Sequence, residues 1–191
     1  MEKRNILFVM SSLRNGGAER SLVNLLQLLD YDRYNVDLLL FQNEGMFLKQ
    51  VPKEVNIISN CNKLYTLYDN NKTEALKHPY LSVVHMIGTF ISRKKTNSVA
   101  KSRQYRWEHF YKKIIPELTK EYDVAIAYMQ REQTYFLVDK VKATKKIAWV
   151  HNEYSQLGHF KEMDLEYFEK VDKVVTISDL CAKDLKKNFP S

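Results

Sequence analysis

Cysteine is scarce, with Cys61 and Cys181 the pair among 191 residues. They stand at no metal-ligand spacing, and one pair makes no disulfide framework, so a reduced cytoplasmic setting is the expectation. His78, His85, His109 and His159 likewise show no metal spacing with one another or with cysteine. Long hydrophobic runs are missing too. The run at 6–10 is five residues with no small-residue cleavage site after it, so a secretory leader is not expected there. The stretch 81–91 is short and carries Ser82 and His85, whereas a membrane span needs about 20 apolar residues. No paired-carboxylate pattern, no Gly-x-Ser-x-Gly and no Gly-x-x-x-x-Gly-Lys-Ser/Thr occurs.

Glycine is also rare, five in all, yet Gly16 and Gly17 are adjacent. They follow the run Ile6, Leu7, Phe8, Val9, Met10, which reads as a strand covered on both faces. After them Ala18, Leu22, Leu25, Leu26 and Leu29 recur at helical spacing. A strand, a short loop and a helix opening on two glycines aim unpaired N–H groups past the strand's carboxyl end, where an anion fits. Without Cβ atoms the loop is free to take positive φ and to let a ligand close to the main chain. The alternative is that the glycines only let the helix pack tightly on the strand.

The chain is long enough for one domain that buries roughly 70% of its unfolded surface. Further strands are expected at 35–41, 55–59, 123–129, 146–150 and 171–177. The segment 61–79 reads as loop with a possible helical turn. Helices are expected at 79–91, at 98–121 with Pro116 marking a kink or restart, at 165–170, and from a Ser178 cap to about Asn188. Alternating buried strands and helices give an α/β fold, a Rossmann-like doubly wound parallel sheet of order 3-2-1-4-5-6 with helices on both faces. Ligands of such sheets gather beyond the carboxyl ends of the strands where the order reverses, between the first and fourth strands.

The fifth strand runs into His151 and Asn152, on the same edge as Gly17. An imidazole there can bond a phosphate or a sugar hydroxyl, or stabilise developing charge; the plainer reading is a histidine satisfying a loop carbonyl. Ser178 is most simply an N-cap, with ligand contact second. Glu19 and Arg20 are either a dipole-favoured acid beside a surface cation or contacts for acceptor hydroxyls.

The net charge of +7 is concentrated. Residues 93–120 hold nine cations, among them Arg93, Lys94, Lys95, Lys101, Arg103 and Arg106, against Glu108 and Glu117. Such a patch attracts a polyanion or an anionic membrane. Its aromatics, Trp107, Phe110 and Tyr111, fall at helical spacing, as core residues do, which argues against base-stacking platforms and against nucleic acid as a partner.

These pieces together resemble a known family. Ile6-Leu7-Phe8-Val9-Met10 with Gly16-Gly17-Ala18-Glu19-Arg20, then Trp149-Val150-His151-Asn152, then the segment 171–178 ending in Thr176-Ile177-Ser178, are similar to the amino-terminal domain of family 4 (group 1) glycosyltransferases of the GT-B fold. The resemblance implies retaining transfer of a sugar from a nucleotide-sugar to a hydroxyl of a glycan or lipid-linked acceptor, without a metal or other cofactor. It maps Gly16 and Gly17 onto the loop that meets the donor pyrophosphate and His151 onto the family's functional histidine. Glu19, Arg20, Asn152 and Ser178 fall on the acceptor side. It also implies a second, donor-holding domain with a Glu-x7-Glu motif, which these 191 residues do not contain, so residues 1–191 would be the acceptor-side half, inactive alone. Family members with lipid-linked acceptors often dock on membranes through a basic amino-terminal domain, which fits the cluster at 93–120, so the resemblance implies a cytoplasmic protein that would sit at the inner membrane face.

Two other classes stay in view. A dinucleotide oxidoreductase would need Gly-x-Gly-x-x-Gly, and Asn15-Gly16-Gly17-Ala18-Glu19-Arg20 lacks that spacing. A non-catalytic module binding an anionic membrane or polymer would need only the basic patch.

Overall fold

A computed structural model describes residues 2–58, 62–68 and 76–190. Ser59 of the expected third strand and Cys61 lie outside the described residues. Six parallel strands form one sheet in the order β3-β2-β1-β4-β5-β6, the Rossmann-like arrangement expected. They are β1 (Arg4–Met10), β2 (Tyr34–Leu40), β3 (Asn56–Ile57), β4 (Glu121–Ala127), β5 (Lys142–Val150) and β6 (Lys173–Thr176). The helices used below are α1 (Gly17–Leu28), α2 (Asn62–Tyr68), α3 (Pro79–Lys95), α4 (Val99–Arg106), α5 (Glu132–Lys140), α6 (Lys161–Phe168) and α7 (Asp179–Asn188).

The central strand β1 alternates between two cores. Phe8 and Met10 face α1 and pack with its Leu22, Val23 and Leu26, while Leu7 and Val9 face Trp107, Tyr111 and Phe136 on the opposite side. Burying each such side chain contributes roughly 1.5–3 kcal/mol, so both faces of β1 are held by apolar area. At the amino edge the buried Asp37 of β2 accepts hydrogen bonds from Tyr122 (2.7 Å), Asn56 (2.9 Å) and Lys120 (2.9 Å), tying β3 and β4 to β2.

Several expected elements differ. The third strand keeps only Asn56 and Ile57, paired with Asp37 and Leu38. The helix expected over 98–121 runs as α4, a π-helical turn Trp107–Tyr111 and a last turn Lys112–Ile114. It stops there because the residue before a proline is pushed out of the helical region, and Ile115, ahead of Pro116, is extended (φ −75°, ψ 124°). No restart follows; residues 115–120 are irregular and Glu121 opens β4. Helix α5 had no sequence expectation at all. Its first six residues, Glu132 to Leu137, are all buried, polar and apolar alike, so no amphipathic stripe announces it.

Candidate functional site at the carboxyl edge of the sheet

The loop after β1 is fastened to the loop after β2. The amides of Phe41 and Gln42 donate to the carbonyls of Met10 (3.0 Å) and Ser11 (2.7 Å). Leu13 donates to the Glu44 carbonyl (2.9 Å), Phe47 donates to the Leu13 carbonyl (3.1 Å), and Arg14 pairs with Glu44. Gly45 sits inside this clasp at φ 129°, and a Cβ there would overlap the Leu13 carbonyl. In the loops after β1 and β2 the positive-φ glycine is therefore Gly45. Gly16 is extended (φ −89°, ψ 165°) and Gly17 is helical, a correction to the loop geometry expected of them, because the clasp makes the turn before the chain reaches them.

Gly16 is the N-cap of α1 and contributes no side-chain cap; the first helical bond runs from the Arg20 amide to the Gly16 carbonyl at 3.1 Å. The Glu19 carboxylate folds back onto the space a Gly16 Cβ would take, a favourable place for an acid beside the positive end of the helix dipole. At Gly17 nothing lies within 4 Å of a built Cβ. The amides of the first turn have no helical acceptor. The helix thus presents an open, donor-rich corner at Gly17.

His151 leaves the end of β5, two strands from β1, which at about 4.8 Å per strand is roughly 10 Å across the edge. Its amide donates to Gln130 Oε1 (3.2 Å). Its ring lies 5.8 Å from that of Trp149, nearly parallel, and 5.2 Å from that of Tyr128. The Tyr128 hydroxyl shares a hydrogen bond of 3.0 Å with Ser21 of α1, so the His151 wall is tied to the helix that starts at Gly17. Burial holds the imidazole below its ordinary value of 6.5, against a hydrogen bond to the Tyr128 backbone that acts the other way. The ring is therefore neutral at pH 7. Nε2 is buried with no partner, so the backbone bond belongs to Nδ1–H and the lone pair sits on Nε2. Trp149 Nε1 beside it is also buried and unpartnered.

The other expected contacts are more dispersed. Arg20 and Asn152 are exposed, and Glu19 is half-buried. Ser178 caps α7, its hydroxyl accepting from the Cys181 amide at 3.2 Å, and at three strands from β1 it stands roughly 14 Å away. The basic cluster divides. Arg93, Lys94 and Lys95 are exposed on the last turn of α3, and Lys101 is half-buried with its ammonium 4.9 Å from the Phe160 ring centroid. Arg103 turns inward to the buried Glu132, and Arg106 donates to Ser102 (3.2 Å) and Ser92 (3.4 Å).

Sequence reasoning passed over Tyr128, Gln130 and Arg131, which follow β4 at the point where strand order reverses. Arg131 is a non-glycine residue at φ 77°. Its Nε donates to His159 Nε2 (2.7 Å), and His159 Nδ1 in turn bonds the buried Asp164 (2.7 Å). The rarity of glycine could have pointed to Gly45; nothing in the sequence pointed to Arg131. Among the described residues no helix is long and apolar enough to cross a membrane. No protein-family model matches the chain, and no curated protein matches it at a significant level.

Proposed function

We propose that this chain is the acceptor-side half of a retaining glycosyltransferase that moves a sugar from a nucleotide-sugar to a hydroxyl of a glycan or lipid-linked acceptor. One juxtaposition carries the reading: an open, donor-rich helix start at Gly17 and a neutral, partnerless His151 nitrogen follow β1 and β5, strands roughly 10 Å apart on either side of the reversal point of a doubly wound sheet. That span suits a donor whose pyrophosphate meets the amides of the first turn while its sugar lies against the imidazole. Neutral Nε2 accepts a hydrogen bond from a sugar hydroxyl, orienting the ring, and the α1 amides stabilise phosphate charge as the leaving group departs. The nucleotide would be held by a second domain outside these residues. The resemblance of the motifs at 6–20, 149–152 and 171–178 supports the same assignment.

The test is sugar transfer by the complete gene product from a panel of nucleotide-sugars. His151→Ala and Gly17→Val are expected to lower kcat by about 100-fold, the scale of losing one preorganised charge-stabilising contact. Full activity in both variants, or no transfer from any donor, overturns the reading.

A second reading, peripheral docking on an anionic membrane, rests on a separate observation. The outward face of α3 exposes Tyr80, Val83, Met86, Ile87 and Phe90, and the helix ends in Arg93, Lys94 and Lys95. An apolar stripe leading into a cationic turn is the pattern of an interfacial helix.

A further inference from the structure

On the face of the sheet opposite α1, two cavities share one wall. The inner, about 280 Å³, lies at the carboxyl ends of β1 and β2, bordered by Ser11 and Gln42, and reaches Tyr68, Arg103 and Gln133. The outer, about 390 Å³, runs past Thr89 to Arg93 at the basic end of α3. His85, Val99 and Arg106 line both. Small-ligand pockets span roughly 300–1,000 Å³, and the two together fall in that range.

Three polar atoms on these walls are buried without a partner: the Tyr68 hydroxyl in the inner cavity, Thr89 Oγ1 in the outer, and Arg106 Nε between them. Native proteins leave few such groups, and each asks for a reason. Two hydroxyls and a guanidinium nitrogen on one connected wall are thus left without a hydrogen-bond partner.

The charge is also unbalanced. Glu132, the carboxylate packed beside them, pairs through Oε1 with Arg103, so its charge is matched there although Oε2 has no partner of its own. Arg106 has the hydroxyls of Ser92, Ser102 and Tyr111 as neutral partners and no ion pair among the described residues. The imidazole of His85 is held below its ordinary value by burial and by Arg106, and its Nδ1 bonds the Tyr111 hydroxyl at 2.8 Å, so it adds no charge at pH 7. A half-buried guanidinium between two cavities is the place for an anion.

We propose that the joined cavities bind a ligand with one phosphate or carboxylate among hydroxyls, the anion on Arg106 and the hydroxyls on Tyr68 and Thr89. Under the transferase reading, on which this assignment rests, that ligand is the acceptor. It enters on the face of the sheet away from α1, and Arg103 and Arg106 belong to its site instead of to a membrane surface.

Calorimetric titration of the chain with galactose 1-phosphate, galacturonic acid and galactose tests this. At least one anion is expected to bind ten-fold or more tighter than galactose, and the comparison of the two anions tells phosphate from carboxylate. Tyr68→Phe and Thr89→Val remove only unpartnered hydroxyls, so the melting temperature holds or rises while affinity falls several-fold. Arg106→Gln lowers it at least ten-fold, with partial recovery in Arg106→Lys. Galactose binding as tightly as both anions, no binding by any of the three at millimolar concentration, or wild-type affinity in all three deletion variants overturns the proposal. The two readings fail separately. Transfer by the complete gene product with an unchanged acceptor KM in Arg106→Gln removes this site and spares the transferase. Anion binding lost in Arg106→Gln without transfer from any donor does the reverse.

Discussion

The imidazole of His151 rests 5.2 Å from the ring of Tyr128 and bonds its backbone, a bond that favours the charged ring and is outweighed by burial. Burial lowers the folded-state pKa of His151 below 6.5, so the unfolded chain takes up the proton first as pH falls. Stability then rises with pH through the window just below 6.5 and is lost on acidification there. His85, lowered by burial and by Arg106, adds a slope of the same sign. Urea denaturation between pH 5 and 7.5 is expected to show this loss, smaller in His151→Asn and nearly flat in the double variant with His85→Gln. An unchanged slope in the double variant would mean that neither ring is buried neutral.

Two glycines of this edge differ in what they do: Gly45 holds the fold and Gly17 leaves room. Gly45→Ala forces a Cβ into the Leu13 carbonyl at φ 129°, and a loss on the order of 2–4 kcal/mol is expected from chemical denaturation. Gly17→Ala meets nothing within 4 Å in a helical conformation and is expected to raise stability by about 0.5–1 kcal/mol. If Gly17→Ala also lowers transfer while the melting temperature rises, the glycine serves the ligand and not the packing of α1.

Much of the sheet was legible because parallel strands, covered on both faces, read as apolar runs: Leu7, Phe8, Val9 and Met10 are all buried. The same burial hid α5, where Glu132, Gln133 and Thr134 are as enclosed as Phe136. His151 and Gly17 could be placed on one edge from strand order alone. The clasp around Gly45 could not, since its partner Leu13 lies far away in sequence. Nor could the turn inward of Arg103 and Arg106: a helix covered on more than one side gives no sequence signal for which cations face solvent. The positive φ of Arg131 goes with a side-chain bond to His159, 28 residues away, and no local rule predicts it.

Asp164 is a further keystone of the carboxyl side. Buried at 3% exposure, it receives the hydroxyls of Tyr135 and Tyr154, the Gln104 amide (3.2 Å) and His159 Nδ1. Asp164→Ala leaves the Tyr135 and Tyr154 hydroxyls and His159 Nδ1 without their acceptor, while Gln104 keeps Tyr135 and the Phe160 carbonyl, and is expected to cost about 3–5 kcal/mol by denaturant titration. Tyr154→Phe removes one donor and should cost about 1 kcal/mol. A small effect in Asp164→Ala would show that the site relaxes to admit water.

The exposed face of α3 makes the last prediction. Phe90 and Met86 are 62% and 68% exposed, and the Lys94 ammonium lies 4.4 Å from the Phe90 ring centroid, joining the apolar stripe to the cationic turn. On vesicles with anionic lipid, Lys and Arg contribute about 1 kcal/mol each near the surface, so Arg93, Lys94 and Lys95 together favour binding by roughly 100-fold. Screening shortens from about 10 Å at 0.1 M salt to 3 Å at 1 M, so sedimentation with vesicles should weaken steeply across that range. Lys94→Glu with Lys95→Glu should abolish the salt dependence, and Met86→Ser with Phe90→Ser should weaken binding at any salt. Arg106→Gln should leave it unchanged, because that guanidinium faces the cavities. Equal binding to neutral vesicles, or no effect of the Lys94 and Lys95 reversals, would detach the basic turn from any membrane role.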